Sequence, residues 1–223
     1  MTGLRFGSYN NIAYGLEEKT PIDQNKKPWD GKKWVAIGDS LTEANSTASK
    51  KYHALIAEKT GITVLNYGKS GTGYGKTYSD FNNFADRVSE LENVDCDVIT
   101  IFGSFNDLSL ELGTADDTGT STLGGYMNTT FDNLFTAKPF ISVGVITPTP
   151  WWGKTPGGTS ENSVKAQDYC EMLIEICNRR SIPVLDLFHR SNLHPDDSGY
   201  RADQGYQSPH RGPGTDEGIR KGD

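Results

Sequence analysis

Cysteine is scarce in this chain: three residues in 223, at positions 96, 170 and 177, too few for a disulfide-stapled scaffold. Cys170 and Cys177 stand seven apart with Leu173 and Ile174 between them, the i, i+3, i+4, i+7 spacing of one buried helix face. Two Cα atoms seven apart on a helix are about 10 Å from each other, beyond disulfide reach, so three reduced structural thiols are expected. Positive charge is also short. The 22 Lys and Arg against 29 Asp and Glu leave a net charge of −7, and with no basic cluster this excludes a nucleic-acid surface. Lys32-Lys33 and Lys50-Lys51 read as short solvated pairs. No apolar run is long enough to cross a membrane, and Met1 to Tyr14 lacks the apolar core of a signal peptide. No membrane partner is expected, and the location left open is virion-associated or cytoplasmic. Metal-ligand spacing is missing as well, so neither metal nor cofactor is expected.

What the chain does have is length and regular punctuation. With 223 residues, 35% hydrophobic and 25 glycines, it can bury the core of one loop-rich domain. Residues 1–30 are polar and weakly patterned and read as an N-terminal arm or linker, suited to a homo-oligomer or to assembly on a particle; residues 31–223 read as the domain. There, strands and helices alternate. Apolar residues at 33–38 predict a first strand, and Tyr52, Leu55 and Ile56 a helix near 47–59 capped by Ser46 or Thr47. Residues 62–66, 98–102, 141–146 and 183–187 predict four further strands. Phe81, Phe84, Val88 and Leu91 mark a second helix, Met127, Phe131, Leu134 and Phe135 a third, and the cysteine stripe a fourth. Such alternation implies right-handed crossovers and a parallel sheet covered on both faces. The expected fold class is α/β: a three-layer α/β/α sandwich on a five-stranded parallel sheet.

In such folds ligands collect where the strands end. After the first strand comes Gly38-Asp39-Ser40-Leu41, after the second Ser70-Gly71-Thr72-Gly73, after the third Ser104-Phe105-Asn106-Asp107, and after the fourth Pro148-Thr149-Pro150-Trp151-Trp152. A serine at a strand-to-helix corner presents its hydroxyl where backbone N–H groups converge, an arrangement suited to a developing oxyanion. The glycine-rich run at 68–75 lacks the Gly-Lys-Ser/Thr ending of a phosphate loop, which argues against nucleotide binding.

Three of these blocks, in this order and at these separations, resemble the SGNH hydrolases, the GDSL-type esterases and deacetylases, over roughly residues 31–212. The resemblance implies the flavodoxin-like fold of that family and Ser40 as nucleophile. It also implies an oxyanion hole made by the Ser40 N–H, the Gly71 N–H and the Asn106 amide. One departure is Ser104, where the family usually has glycine two residues before the asparagine.

A serine nucleophile needs a histidine oriented by a carboxylate, which the family carries near its C-terminus as Asp-x-x-His. His53 falls in the first helix and reads as a surface or packing residue. Asp186-Leu187-Phe188-His189 matches the pattern literally, but too early and with its Asp inside a strand. His194 has the expected proline after it and Ser191 three residues before it. His210 lies at the expected distance, with Gln207 three before it, and is the assigned base, oriented by Asp203 where the loop folds back or by a backbone carbonyl in a dyad. The alternatives are an Asp-x-x-His beginning at Asp223 in a sequence that stops short, and a degenerate domain.

The substrate reading is a small ester or an O-acetylated glycan, with Asp39, Phe105, Trp151 and Trp152 as contacts and Tyr74 and Tyr78 extending an apolar wall. Residues 113–122 read as a flexible insertion able to act as a lid. The expected function is therefore a serine esterase removing O-acetyl groups from a carbohydrate. The rival reading is a glycan- or receptor-binding module, on a phage tail or cell surface, that has lost its chemistry.

Overall fold

The computed structural model describes residues 26–44 and 48–203, without the side chains of 201–203. Five strands form one sheet in the order β2-β1-β3-β4-β5, every neighbouring pair parallel. The strands are β1 Lys33–Gly38, β2 Thr63–Gly68, β3 Val98–Phe102, β4 Ser142–Ile146 and β5 Val184–Leu185. Between and after them run α1 Tyr52–Thr60, α2 Phe84–Arg87, α3 Leu123–Ala137, α4 Glu161–Arg179, α5 Leu187–Arg190 and α6 Ser198–Asp203. The three-layer α/β expectation is met.

Side-chain alternation along β1 divides the core. Val35 and Ile37 point to one face and Trp34 and Ala36 to the other, as a two-residue period requires. The first face joins Ile99, Ile101 and Val145 to Phe84, Met127, Phe131, Tyr169, Leu173 and Cys177 from α2, α3 and α4, and to Val88 in the 3-10 turn after α2. On the second face Trp34, Ala36 and Ile62 pack against Tyr52 and Ala57 of α1. That layer is thin: an apolar trough of about 530 Å³ runs beside α1, floored by Val98, Gly144 and Val184 and edged by Trp29 and Leu185. Residues 27–30, counted with the arm, dock at its rim, where the Trp29 N–H donates to the Thr60 carbonyl at 2.9 Å.

Four expectations need correction. The first helix starts at Tyr52 rather than near 47: residues 48–51 are non-helical and Lys51 takes the N-cap position with extended backbone. The proposed caps Ser46 and Thr47 lie outside the described residues. Phe81 is not helical; it pairs with Tyr78 in a β-bridge, and α2 begins at Phe84 because the Asn83 side chain accepts the Asp86 N–H. The fifth strand ends at Leu185, because Asp186 turns the chain and caps α5 by accepting the His189 N–H. Residues 113–122 are not a free lid. Thr114 and Thr122 both donate to Asp117, Asn128 of α3 donates to the Ala115 and Asp117 carbonyls, and Arg179 pairs with Asp116.

The three thiols are free, with Cys170 and Cys177 fully buried. Burial raises the pKa of both, that of Cys177 to about 12. No helix among the described residues is long and apolar enough to cross a membrane.

Candidate active site

The chain leaves β1 at Gly38 and turns at once. The Asp39 carbonyl accepts the N–H groups of Thr42 and Glu43 at 3.1 and 2.9 Å, forming a tight corner that carries Ser40, half-buried, at its tip. The corner folds back so closely that a Cβ on Gly38 would overlap the Thr42 hydroxyl. Behind it, His53 Nε2 lies 2.9 Å from the Thr42 carbonyl and Asn66 Nδ2 donates to the same oxygen at 3.0 Å. His53 is a packing residue, buried and at work on the turn.

The block after β2 is tied to this corner. Glu43 Oε2 accepts the Ser70 N–H at 3.0 Å and, over a shorter contact, the Ser70 hydroxyl. Gly71 has φ +75°, in the left-handed region that glycine enters without penalty. Arg87, buried in α2, reaches beneath to donate to the Tyr67 and Gly38 carbonyls and to Thr72 Oγ1. Burial lowers its pKa to about 10.

The block after β3 closes the cluster. Asn106 Nδ2 donates to the Thr72 carbonyl at 3.0 Å and lies 3.4 Å from Asp39 Oδ2. Ser104 donates its hydroxyl to Asp39 Oδ2 at 2.6 Å and accepts the Asn106 N–H at 3.2 Å. The serine that departs from the usual glycine thus joins the first block to the third. Asp107, with no exposed surface, accepts the N–H groups of Tyr74, Gly75 and Lys76 at 2.7, 3.1 and 2.9 Å. Burial nonetheless pushes its carboxyl up to about 6.

The structure brings Ser40, Gly71 and Asn106 together around Asp39 and Thr72. Asp39, expected to meet substrate, is buried instead and occupied by the Leu41 N–H and the Ser104 hydroxyl; burial pushes its carboxyl above the ordinary range against the pull of those two donors. Phe105 packs edge-on against Tyr169 and Phe188 at 5.8 Å each. Tyr74 is a core residue with no exposed surface, so it forms no wall, whereas Tyr78 is 58% exposed beside Gly71. Trp151 is half-buried under the Lys154 ammonium, and Trp152 is 55% exposed.

The histidines separate clearly. His189 forms a true pair with Asp186, Nδ1 lying 2.9 and 3.0 Å from the two carboxylate oxygens, with Asp186 at the helix cap rather than inside a strand. Its Nε2 is taken by the Gln167 amide at 3.0 Å, so both ring nitrogens are engaged. His194 Nε2 faces Asn192 Oδ1 at 3.3 Å and its ring packs edge-on against Tyr200. His210 lies outside the described residues, and Asp203 is the last residue of α6. Among the described residues, no cluster of His, Cys, Asp and Glu is arranged to hold a metal ion.

Two residues tied to this cluster carry no signal in the sequence pattern. Lys51 donates its ammonium to the Ser40 carbonyl at 3.0 Å and is only 9% exposed. Arg87 is the other. A lone Arg among helical residues carried no signal; Lys51 was hidden by its pairing with the exposed Lys50.

A family model for the GDSL-like Lipase/Acylhydrolase family matches residues 36–202. A protein of known structure from Lactobacillus plantarum is similar over 78% of this chain and 85% of its own, at 24% identity and a TM-score of 0.65. A possible lipase from Chitinophaga pinensis aligns at 23% identity and 0.59, over 73% and 70% of the two chains. An alpha/beta hydrolase enzyme from the metagenome of Lake Arreo, Spain, aligns at 20% and 0.50, over 74% and 84%. At these identities the three structures speak for the fold. No curated protein matches the chain.

Proposed function

The chain belongs to the GDSL-like lipase/acylhydrolase family and is a serine hydrolase acting on esters; from that premise we propose that it removes O-acetyl groups from a carbohydrate, with Ser40 as nucleophile. The observation that carries the assignment is the Asn106 amide, held between Thr72 and Asp39 beside the Ser40 corner. It joins three separate strand ends at one point. Ser40 Oγ attacks the ester carbonyl carbon while a histidine accepts its proton. Negative charge grows on the carbonyl oxygen, where the N–H groups of Ser40 and Gly71 stabilise it together with the Asn106 amide, which gives up its 3.4 Å contact with Asp39 to do so. The C–O bond to the sugar breaks and the histidine returns its proton to the departing hydroxyl. Water then attacks the acetyl-enzyme by the same route and releases acetate.

His210 is our assignment for that histidine, on its distance beyond β5, with Asp203 as its orienting acid; the Nε2 of His189, which would have to take the serine proton, is held by Gln167. A small acyl group suits the polar surroundings of Ser40, which are Asp39, Glu43, Ser70, Thr72, Ser104 and Asn106. The exposed rings of Tyr78 and Trp152 suit a sugar, whose C–H face stacks on aromatic side chains.

A fluorophosphonate probe tests the nucleophile. It labels the wild type at Ser40 and spares Ser40→Ala; wild type that stays unlabelled under conditions that label active esterases overturns the reading in favour of a binding module. Turnover of p-nitrophenyl acetate tests the base. It falls steeply in His210→Ala and persists in His194→Ala, and the opposite pattern moves the assignment to His194.

A further inference from the structure

The peptide unit that follows the proposed nucleophile is gripped at both ends by charged groups. Its carbonyl, that of Ser40, accepts the Lys51 ammonium at 3.0 Å, and its N–H, that of Leu41, donates to Asp39 Oδ1 at 2.8 Å. Lys51 is placed for this by position: it caps α1 with extended backbone, so its side chain leaves the helix start toward the β1 corner. Lys51 is 9% exposed as a residue, and burial penalises the charged form of its ammonium. Burial lowers the lysine's pKa, and the neighbouring carboxylates Asp39 and Glu43 act to raise it.

Those carboxylates supply the reason for the charge. Asp39 Oδ2 lies 3.4 Å from the Asn106 amide and Glu43 grips Ser70 next to Gly71. Each places negative charge beside the donors on which an oxyanion would rest, and like charge there opposes the transition state. We propose that Lys51 is a positioning residue for Ser40: its ammonium fixes the Ser40–Leu41 peptide and balances Asp39 and Glu43 at the point where the oxyanion develops. The inference rests on the reading of Ser40 as nucleophile.

The test uses the full chain with Lys51→Met, which keeps the aliphatic stem, Lys51→Ala, which leaves room for an added amine, and Lys51→Arg, which keeps the charge. Lys51→Met lowers kcat for p-nitrophenyl acetate about 10- to 100-fold with little change in KM, and fluorophosphonate labelling at Ser40 slows in parallel. That range lies at or below the loss from removing an oxyanion donor itself. Lys51→Arg retains more activity than Lys51→Met. Methylammonium ion restores part of the rate of Lys51→Ala, which a purely structural role would not allow. Wild-type kcat in Lys51→Met overturns the proposal, as does a loss that neither arginine nor methylammonium reverses. The two readings fail separately. Wild type unlabelled at Ser40 removes the nucleophile, whereas equal labelling of wild type and Lys51→Met removes only the role of Lys51.

Discussion

Gly71→Ala is the substitution whose cost the structure determines most directly. Gly71 has φ +75°, and a side chain in the left-handed region costs about 1–2 kcal/mol. The new methyl would also lie 2.5 Å from Tyr78 Cγ and 2.8 Å from Tyr78 Cβ. Rotation about the Tyr78 Cα–Cβ bond carries Cγ and the ring away but leaves Cβ in place at 2.8 Å, still inside contact distance. The Tyr78 backbone must move, yet it is pinned by reciprocal hydrogen bonds with Phe81 at 3.3 and 2.9 Å. Overlap of this kind costs about 1–3 kcal/mol, for a total of about 2–5 kcal/mol. Urea unfolding followed by tryptophan fluorescence measures it. Tyr78→Gly separates the two parts: in that background Gly71→Ala keeps only the backbone cost of about 1–2 kcal/mol, and the coupling between the sites equals the overlap. The same substitution shifts the Gly71 N–H, so kcat falls about 100-fold or more even in molecules that remain folded. A total below about 1 kcal/mol, or the same cost with and without Tyr78, refutes the reasoning.

Asp107 gives stability a pH dependence of definite sign. Its folded pKa is about 6 against about 3.9 in an unfolded chain, so the native state holds the proton longer. Its contribution is present in full below about pH 4 and is lost as pH rises through about 6, by up to about 3 kcal/mol. The unfolding free energy of wild type minus that of Asp107→Asn therefore falls between pH 4 and pH 7; a constant difference is the contrary result. Ser104→Gly removes the hydroxyl shared by Asp39 and the Asn106 N–H and costs about 1.5–3 kcal/mol, with a drop in kcat as the Asn106 amide loosens. Denaturant titrations and esterase rates check this, and an unchanged kcat argues that Asn106 is fixed by Thr72 alone. Thiol titration should find Cys96 reactive in the native protein, with Cys170 and Cys177 reacting only after denaturation; three fast thiols in the native state would contradict the buried α4 face.

The sheet was legible because β1 and β3 are short apolar runs bounded by turn residues and buried on both faces, where strands read as continuous hydrophobic stretches. The helices α3 and α4 were legible from their apolar stripes. Legibility failed where a single polar side chain decides the geometry. Asn83 sets the start of α2 and Asp186 ends β5, and neither is visible in a hydrophobic pattern. Lys50 and Lys51 show the limit best. They are adjacent and alike, yet Lys50 pairs with Glu58 at the surface while Lys51 turns inward to Ser40. A hydrophobic pattern cannot separate two lysines; the extended backbone at the α1 cap does.

Ser40 was marked by its turn, and Gly71 and Asn106 by the family resemblance of their blocks; much of what holds these three positions is polar. Tyr74, Phe105 and Leu108 anchor these loops to the core, and the residues between those anchors are polar. Carboxylates hold those polar stretches: the buried Asp107 takes three backbone N–H groups, the buried Asp39 takes the Leu41 N–H, and the half-buried Glu43 takes that of Ser70. Acidic groups this close to a developing oxyanion work against it unless their charge is met by donors and cations, which is the part filled here by those N–H groups, by Arg87 and by Lys51. A loop scaffold built from carboxylates and an oxyanion hole built from N–H groups are thus compatible only with buried positive charge beneath them. It follows that substitutions of Asp39 or Glu43 cannot be read as catalytic losses alone, because each removes a loop anchor and unbalances the charge at Ser40 together.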